Sequence, residues 1–264
     1  MFRTLPQFGQ DPRGVAEIVR QIMNGKTNNT GTITLATGNA TSTTLFDERI
    51  SPDTKIILVP FSAAAFNDSA PYGAFQDTTD QAATTTASEF LTSYNTTDYS
   101  NGVYVSNSNR INVRNYGLYL VQFSIQLKNS TNDGQDIDFW FKKNGTNIAG
   151  SNSKFHIPAR KSTGSDSYLI AVTPFMLELQ ANDYIQLAYR VSDINVTIEH
   201  LPAVSASATT PAIPSTPSVI FTVQYIAPQA YSNIYVSAQT QGSATISHYA
   251  NSTADKTYGY VLVG

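Results

Sequence analysis

Hydrophobic and polar residues alternate along most of this chain with the two-residue period of β-strands, and one segment alone keeps a helical period. The clearest strand pattern covers residues 117–128. Tyr119, Val121, Phe123, Ile125 and Leu127 fall on one face there, and Gln122, Ser124 and Gln126 on the other. Further strands are predicted at residues 33–35, 41–45 and 136–142, and at 219–226. Residues 177–187 read as strand, turn and strand, and Ile194, Val196 and Ile198 alternate again. Residues 234–236, 244–246 and 258–263 add three strands near the C-terminus, separated by Gly242 and the polar stretch from Asn251 to Asp255. Ile56, Ile57, Leu58 and Val59 are contiguous, the pattern of a strand buried on both faces. Lys143-Asn144-Gly145-Thr146 is a hairpin signal, because Asn-Gly accepts the two positive φ angles of a type I′ turn.

The helical exception follows Asp11, a good N-cap, and Pro12, which suits the first helical position. Val15, Ile18, Val19 and Ile22 then form a single apolar stripe, and Asn24-Gly25 supplies a stop. A helix of about three turns is marginal alone and needs a partner surface. That surface is either its own β domain or another molecule. Ahead of it, Phe2, Leu5 and Phe8 are spaced along an arm that forms no element of its own, which reads as an anchor laid over a neighbour or as a frayed terminus. Two stretches lack a pattern. Residues 77–98 are rich in Thr, Ala and Asp, and residues 203–217 carry Pro211, Pro214 and Pro217; either stretch reads as a surface loop or a strap over a neighbouring subunit, and the prolines argue against a regular ladder and for a covering loop ahead of an inter-domain linker.

Composition narrows the function classes. Charged residues are only 13% of the 264, about half the usual share, and Thr, Ser, Asn, Gln and Gly stand in their place. With 41% hydrophobic and 11% aromatic residues the chain has ample surface to bury, so it is read as folded rather than disordered. A net charge of −3 without a Lys/Arg run gives no electrostatic footprint for nucleic acid. No stretch has the apolar length of a membrane helix or the layout of a secretion signal, which predicts a soluble chain without membrane insertion. The absence of Cys excludes disulfide and thiolate chemistry.

The chemical candidates are few. His156, His200 and His248 are the only histidines, and none lies near a Gly-x-Ser-x-Gly turn or in zinc-ligand spacing. Asp133, Asp136 and Asp138 are close enough to hold a hard cation, but a solvated strand face explains them more simply. No glycine-rich phosphate loop precedes a helix, and no pair of carboxylates stands out for glycoside hydrolysis. The sequence therefore predicts no catalytic residues, no metal site and no cofactor. Tyr94, Tyr99, Tyr116, Tyr168 and Tyr189 are the candidates for a ligand-facing surface, since tyrosine offers a large amphipathic contact at low entropic cost.

Both ends carry a resemblance. The run Gly25-Lys26-Thr27-Asn28-Asn29-Thr30-Gly31-Thr32-Ile33-Thr34-Leu35, with Asp47-Glu48-Arg49-Ile50 and Lys55-Ile56-Ile57-Leu58-Val59-Pro60, is similar to the first half of a small structural module of tailed-phage virions. Residues 242–251 and 256–264 resemble its second half, with Tyr249 where that family carries a smaller residue. Within the stretch between them, Gly117-Leu118-Tyr119-Leu120-Val121-Gln122-Phe123, the Lys-Asn-Gly hairpin and the Leu177–Leu187 spacing resemble the jelly roll of complement globular heads and tumour-necrosis-factor ligands.

The resemblances imply an all-β protein of two nested antiparallel β-sandwich or jelly-roll modules with one short N-terminal α-helix. Residues 1–27 would be an anchoring arm and helix, 28–71 plus 229–264 a split outer module, and 72–228 an inserted jelly roll. They also imply a homotrimer, with Tyr119, Val121, Phe123 and Ile125 either in the core or along the three-fold axis. The expected role is that of a surface protein of the phage head or tail. Its partners would be other virion proteins, and a host-surface glycan or protein if the insert serves adsorption. A capsid decoration or cement protein is the alternative.

Overall fold

The computed structural model describes residues 12–23, 29–66, 70–226, 234–252 and 255–264. The chain divides into two compact units, the second inserted into the first: Met1–Asp68 with Ser232–Gly264, and Ser69–Tyr231. Both are antiparallel β structures, and the whole is all-β with two short helices among the described residues.

The first unit begins with helix α1 (Pro12–Met23), which starts at the proline as the capping pattern predicts. Strands β1 (Thr30–Thr34), β2 (Ala40–Phe46) and β3 (Lys55–Pro60) follow, and then a single helical turn, α2 (Ala63–Phe66), that the sequence pattern did not indicate. After the insert come β18 (Ile234–Thr240), β19 (Ser243–Asn251) and β20 (Thr257–Val263). They pair as two three-stranded sheets, β1-β20-β3 and β18-β19-β2, so each sheet joins strands from both ends of the sequence. Ile33, Leu45, Ile246, Tyr258 and Leu262 fill the core between them.

The run at residues 55–61 is not buried on both faces. Ile57 and Val59 point to solvent, whereas Ile56 and Leu58 pack on the core. Among the described residues β3 is an edge strand that packs one face on the core, so its contiguous apolar run marks an exposed apolar face, not a central strand.

The inserted unit is a two-sheet sandwich. Its strands are β4 (Tyr72–Asp77), β5 (Gln81–Ala82), β6 (Phe90–Leu91), β7 (Thr96–Asn101), β8 (Val103–Ser106), β9 (Arg110–Val113) and β10 (Gly117–Asn129). They continue with β11 (Gln135–Lys143), β12 (Thr146–Asn147), β13 (Ser153–Ile157), β14 (Ser167–Leu179), β15 (Tyr184–Val191), β16 (Val196–Ile198) and β17 (Val219–Tyr225). One sheet runs β5-β16-β10-β17-β4-β7, with β14 on the other side of β10. The second runs β12-β11-β15-β9-β8, with β13 on β11 and β6 on β15.

The inward faces meet in one aromatic core. Phe123 of β10 lies 5.4 Å from Phe139 and 6.1 Å from Phe141 of β11, centroid to centroid. Phe221 of β17 and Tyr189 of β15 extend the cluster through Phe141 and Phe139. Offset and edge-on rings at these separations add to the area they bury. The hairpin between β11 and β12 forms where predicted, with φ of 50° at Asn144 and 80° at Gly145.

The patternless stretch at residues 77–98 is structured. It holds β5, β6 and the start of β7, tied down by the buried Asp77 carboxylate. That group accepts from the Thr79 backbone N–H at 2.8 Å and from the Ser93 hydroxyl at 3.0 Å. Polar pairing, which leaves no hydrophobic period, organises this segment.

Candidate functional site

Of the five tyrosines singled out as ligand-facing, three are exposed and two are buried. Tyr99 on β7 and Tyr168 on β14 are exposed, by 67% and 51%. Tyr94 and Tyr189 are core residues, which corrects the expectation for them. Tyr94 shares a hydrogen bond with Thr92 Oγ1 at 2.9 Å and stacks edge-on against Phe221. Burial pushes its phenol well above the ordinary tyrosine range and raises that of Tyr189 to about 12. Neither presents a hydroxyl to a ligand. Tyr116, the fifth tyrosine, is exposed and donates to Glu178 Oε1 at 2.5 Å.

Tyr119, Val121, Phe123 and Ile125 are all buried in the sandwich core of their own unit. They form the core strand, and the alternative place for them on a three-fold axis is corrected. Of the anchoring residues, Val15 and Ile18 are half-buried and Val19 is exposed on α1. Ile22 is helical, but its side chain lies outside the described residues, as do Phe2, Leu5 and Phe8.

The three histidines are spread over separate strands and loops. His156 Nδ1 lies 2.8 Å from Asp136 Oδ1 on the solvent side of β13 and β11, and Lys154 is 3.6 Å from Asp136 and 3.8 Å from Asp138. The bond to His156 holds the Asp136 carboxyl below its usual range. His200 Nδ1 bonds the Thr216 carbonyl. His248 is buried between Thr43 Oγ1 and the Tyr249 carbonyl. Each histidine is occupied by a structural partner, and no cluster of three metal-ligating side chains occurs among the described residues.

Three surfaces remain. The first is the outward face of β10, β14, β17 and β4. In strand order β14 contributes Tyr168, Ile170, Val172, Pro174 and Met176, and β10 contributes Lys128, Gln126, Ser124, Gln122 and Leu120 directly opposite. Ile170 and Met176 are 56% and 60% exposed, with Leu118, Val172 and Ile220 also open to solvent. Two charged residues flank this stretch, Lys128 held by Glu199 at 2.7 Å and Glu178 held by Tyr116.

The second surface is an arm. Between His200 and Ser218 the chain runs out and back as a sparse hairpin with reciprocal backbone bonds between Leu201 and Thr216 and between Val204 and Ile213. The Pro-rich segment thus carries a short ladder, with Pro211 and Pro214 at positions that donate nothing to it. It does not cover its own unit, since nearly all of residues 202–215 are exposed, Val204 and Ile213 included.

The third is an open groove of about 390 Å³ on the first unit, where Gly259 leaves room between Val59, Phe61 and Val261. Tyr260, which also lines it, donates to Asp47 Oδ2 at 2.7 Å, and Arg49 grips the same carboxylate through Nε at 2.7 Å and through its terminal amine. Of the three, the sequence pattern marks only the arm, and there as a covering loop. Alternation locates inward faces, whereas a surface patch depends on which strands become neighbours.

Comparison with protein-family models finds no family that matches the chain, and comparison with curated proteins finds no relative.

Proposed function

We propose that the protein is a structural component of the outer surface of a tailed-phage virion, working as a homo-oligomer and by contact rather than catalysis. The first unit serves as the base, attached through the N-terminal arm and α1, and the inserted sandwich is displayed outward for host adsorption. The resemblance at residues 25–60 and 242–264 motivates the phage setting. The observation that carries the reading is the pairing of a fully packed, aromatic-cored sandwich with uncharged, partly apolar outer surfaces. Such surfaces suit protein or glycan contact better than bulk solvent.

The projecting arm favours a second reading, a capsid cement protein that straps its neighbours. Replacing residues 203–214 with a short glycine linker leaves both core clusters untouched and separates the two. Loss of host binding from intact particles supports the adsorption role. Loss of head stability with adsorption retained supports the cement role. Absence of the protein from purified virions would sink both.

A further inference from the structure

The outer face of β14 is unlike that of a strand meant for water. It carries five uncharged, mostly apolar side chains in succession, Tyr168, Ile170, Val172, Pro174 and Met176, on a strand that hydrogen-bonds only to β10 among the described residues. A long free edge invites strand addition, but Pro174 removes a donor at its middle and blunts that route. Side-chain packing onto the face is the association left open.

We infer that this face seats a second copy of the same chain, turned end for end about a two-fold axis that crosses β14 at Thr173. The outward residues are arranged for it. Val172 and Pro174 stand one position either side of Thr173, Ile170 and Met176 three, and Tyr168 and Glu178 five. In the two-fold arrangement each Ile170 meets the other copy's Met176, apolar against apolar. Each Tyr168 hydroxyl meets a Glu178 carboxylate, donor against acceptor.

On β10 the same operation sets Gln122 against Ser124, an amide against a hydroxyl. It also sets Lys128, already paired with Glu199, opposite the other copy's Leu118, where its methylene stem can make the contact. A two-fold interface must be complementary to itself, and this sequence of side chains is. The size reaches the lower end of what a stable dimer takes. Thirteen residues each in β10 and β14, seven in β17 and six in β4, at about 3.3 Å per residue and about 4.8 Å between strands, give a face of roughly 600 Å². Stable interfaces bury about 600–1,000 Å² from each partner. Two sheet faces packed about 10 Å apart repeat the geometry of a sandwich core.

The inference does not depend on the virion reading, because it concerns the purified chain in solution. Sedimentation of the full chain should give a dimer. Ile170→Asp should raise the dimer dissociation constant by about 100-fold, since symmetry introduces the charge twice, while the thermal unfolding of the monomer stays unchanged. The chain has no Cys, so Val172→Cys is a unique handle. A short bis-maleimide should link Val172→Cys into covalent dimers and leave Lys154→Cys, exposed on the other sheet, unlinked. A monomeric wild type, a trimer, a dimer indifferent to Ile170→Asp, or no cross-linking at Val172→Cys would each overturn the proposal.

Discussion

Strands β10 and β14 lie side by side over thirteen residue pairs and bury the same inward face, yet their outward faces differ. β10 shows water Gln122, Ser124 and Gln126, whereas β14 shows it Ile170, Val172 and Met176. Solvation alone accounts for the first set. The second costs apolar exposure that an isolated sandwich has no reason to keep, because Thr or Gln would pair equally well with β10. The contrast within one sheet is what the proposed two-fold interface rests on.

The comparison breaks most forcefully on the shared inner face. Phe123 is enclosed by Phe139 and Phe141, so Phe123→Ala should cost about 3–5 kcal/mol in urea-unfolding free energy of the inserted unit. A smaller loss would mean that the two sheets are not packed through this residue.

Acid sharpens the comparison next, because it acts on a carboxylate that binds strands of the first unit together. The bonds from Arg49 hold the Asp47 carboxyl well below the usual carboxylate range. A depressed folded-state pKa contributes stability that is complete above the unfolded value of about 4 and is lost as pH falls towards the folded value. Amide exchange in β20 should therefore accelerate below about pH 4. In Asp47→Asn that acid step should vanish, at a cost of about 2 kcal/mol at neutral pH. Asp47→Asn should leave exchange in β14 unchanged.

The smallest effects test the outward faces themselves. Gln126→Ala and Ile170→Ala should each change monomer stability by less than about 0.5 kcal/mol. Only Ile170→Ala should alter the concentration dependence of sedimentation. Equal behaviour of the two would erase the distinction between the strands.

That same contrast explains what can be read in the sequence. β10 announces itself because one face is polar and the other apolar, so its period is visible without any partner. β14 does not over Ser167 to Met176, because Tyr168, Ile170, Val172 and Met176 fill the polar half of the alternation. Only its end, from Leu177, reads as a strand. The ligand-facing tyrosines divide for a related reason. Tyr94 and Tyr99 have similar polar neighbours in sequence, and only the fold decides that Tyr94 turns into the core against Phe221 while Tyr99 stays outside.

The local decisions were written in the chain. Pro12 begins the helix, Asn144-Gly145 forms the hairpin, and the alternation at residues 121–128 builds the core strand, since each depends on backbone sterics or on a period carried by adjacent residues. The tertiary structure decided everything that depends on which strands are neighbours. That includes the pairing of β1 with β20 from opposite ends of the chain, the sinking of Tyr119 to Ile125 into their own core, and the gathering of an apolar face on β14. Exposure is a property of the assembled sheet, and no window of sequence contains both sides of it.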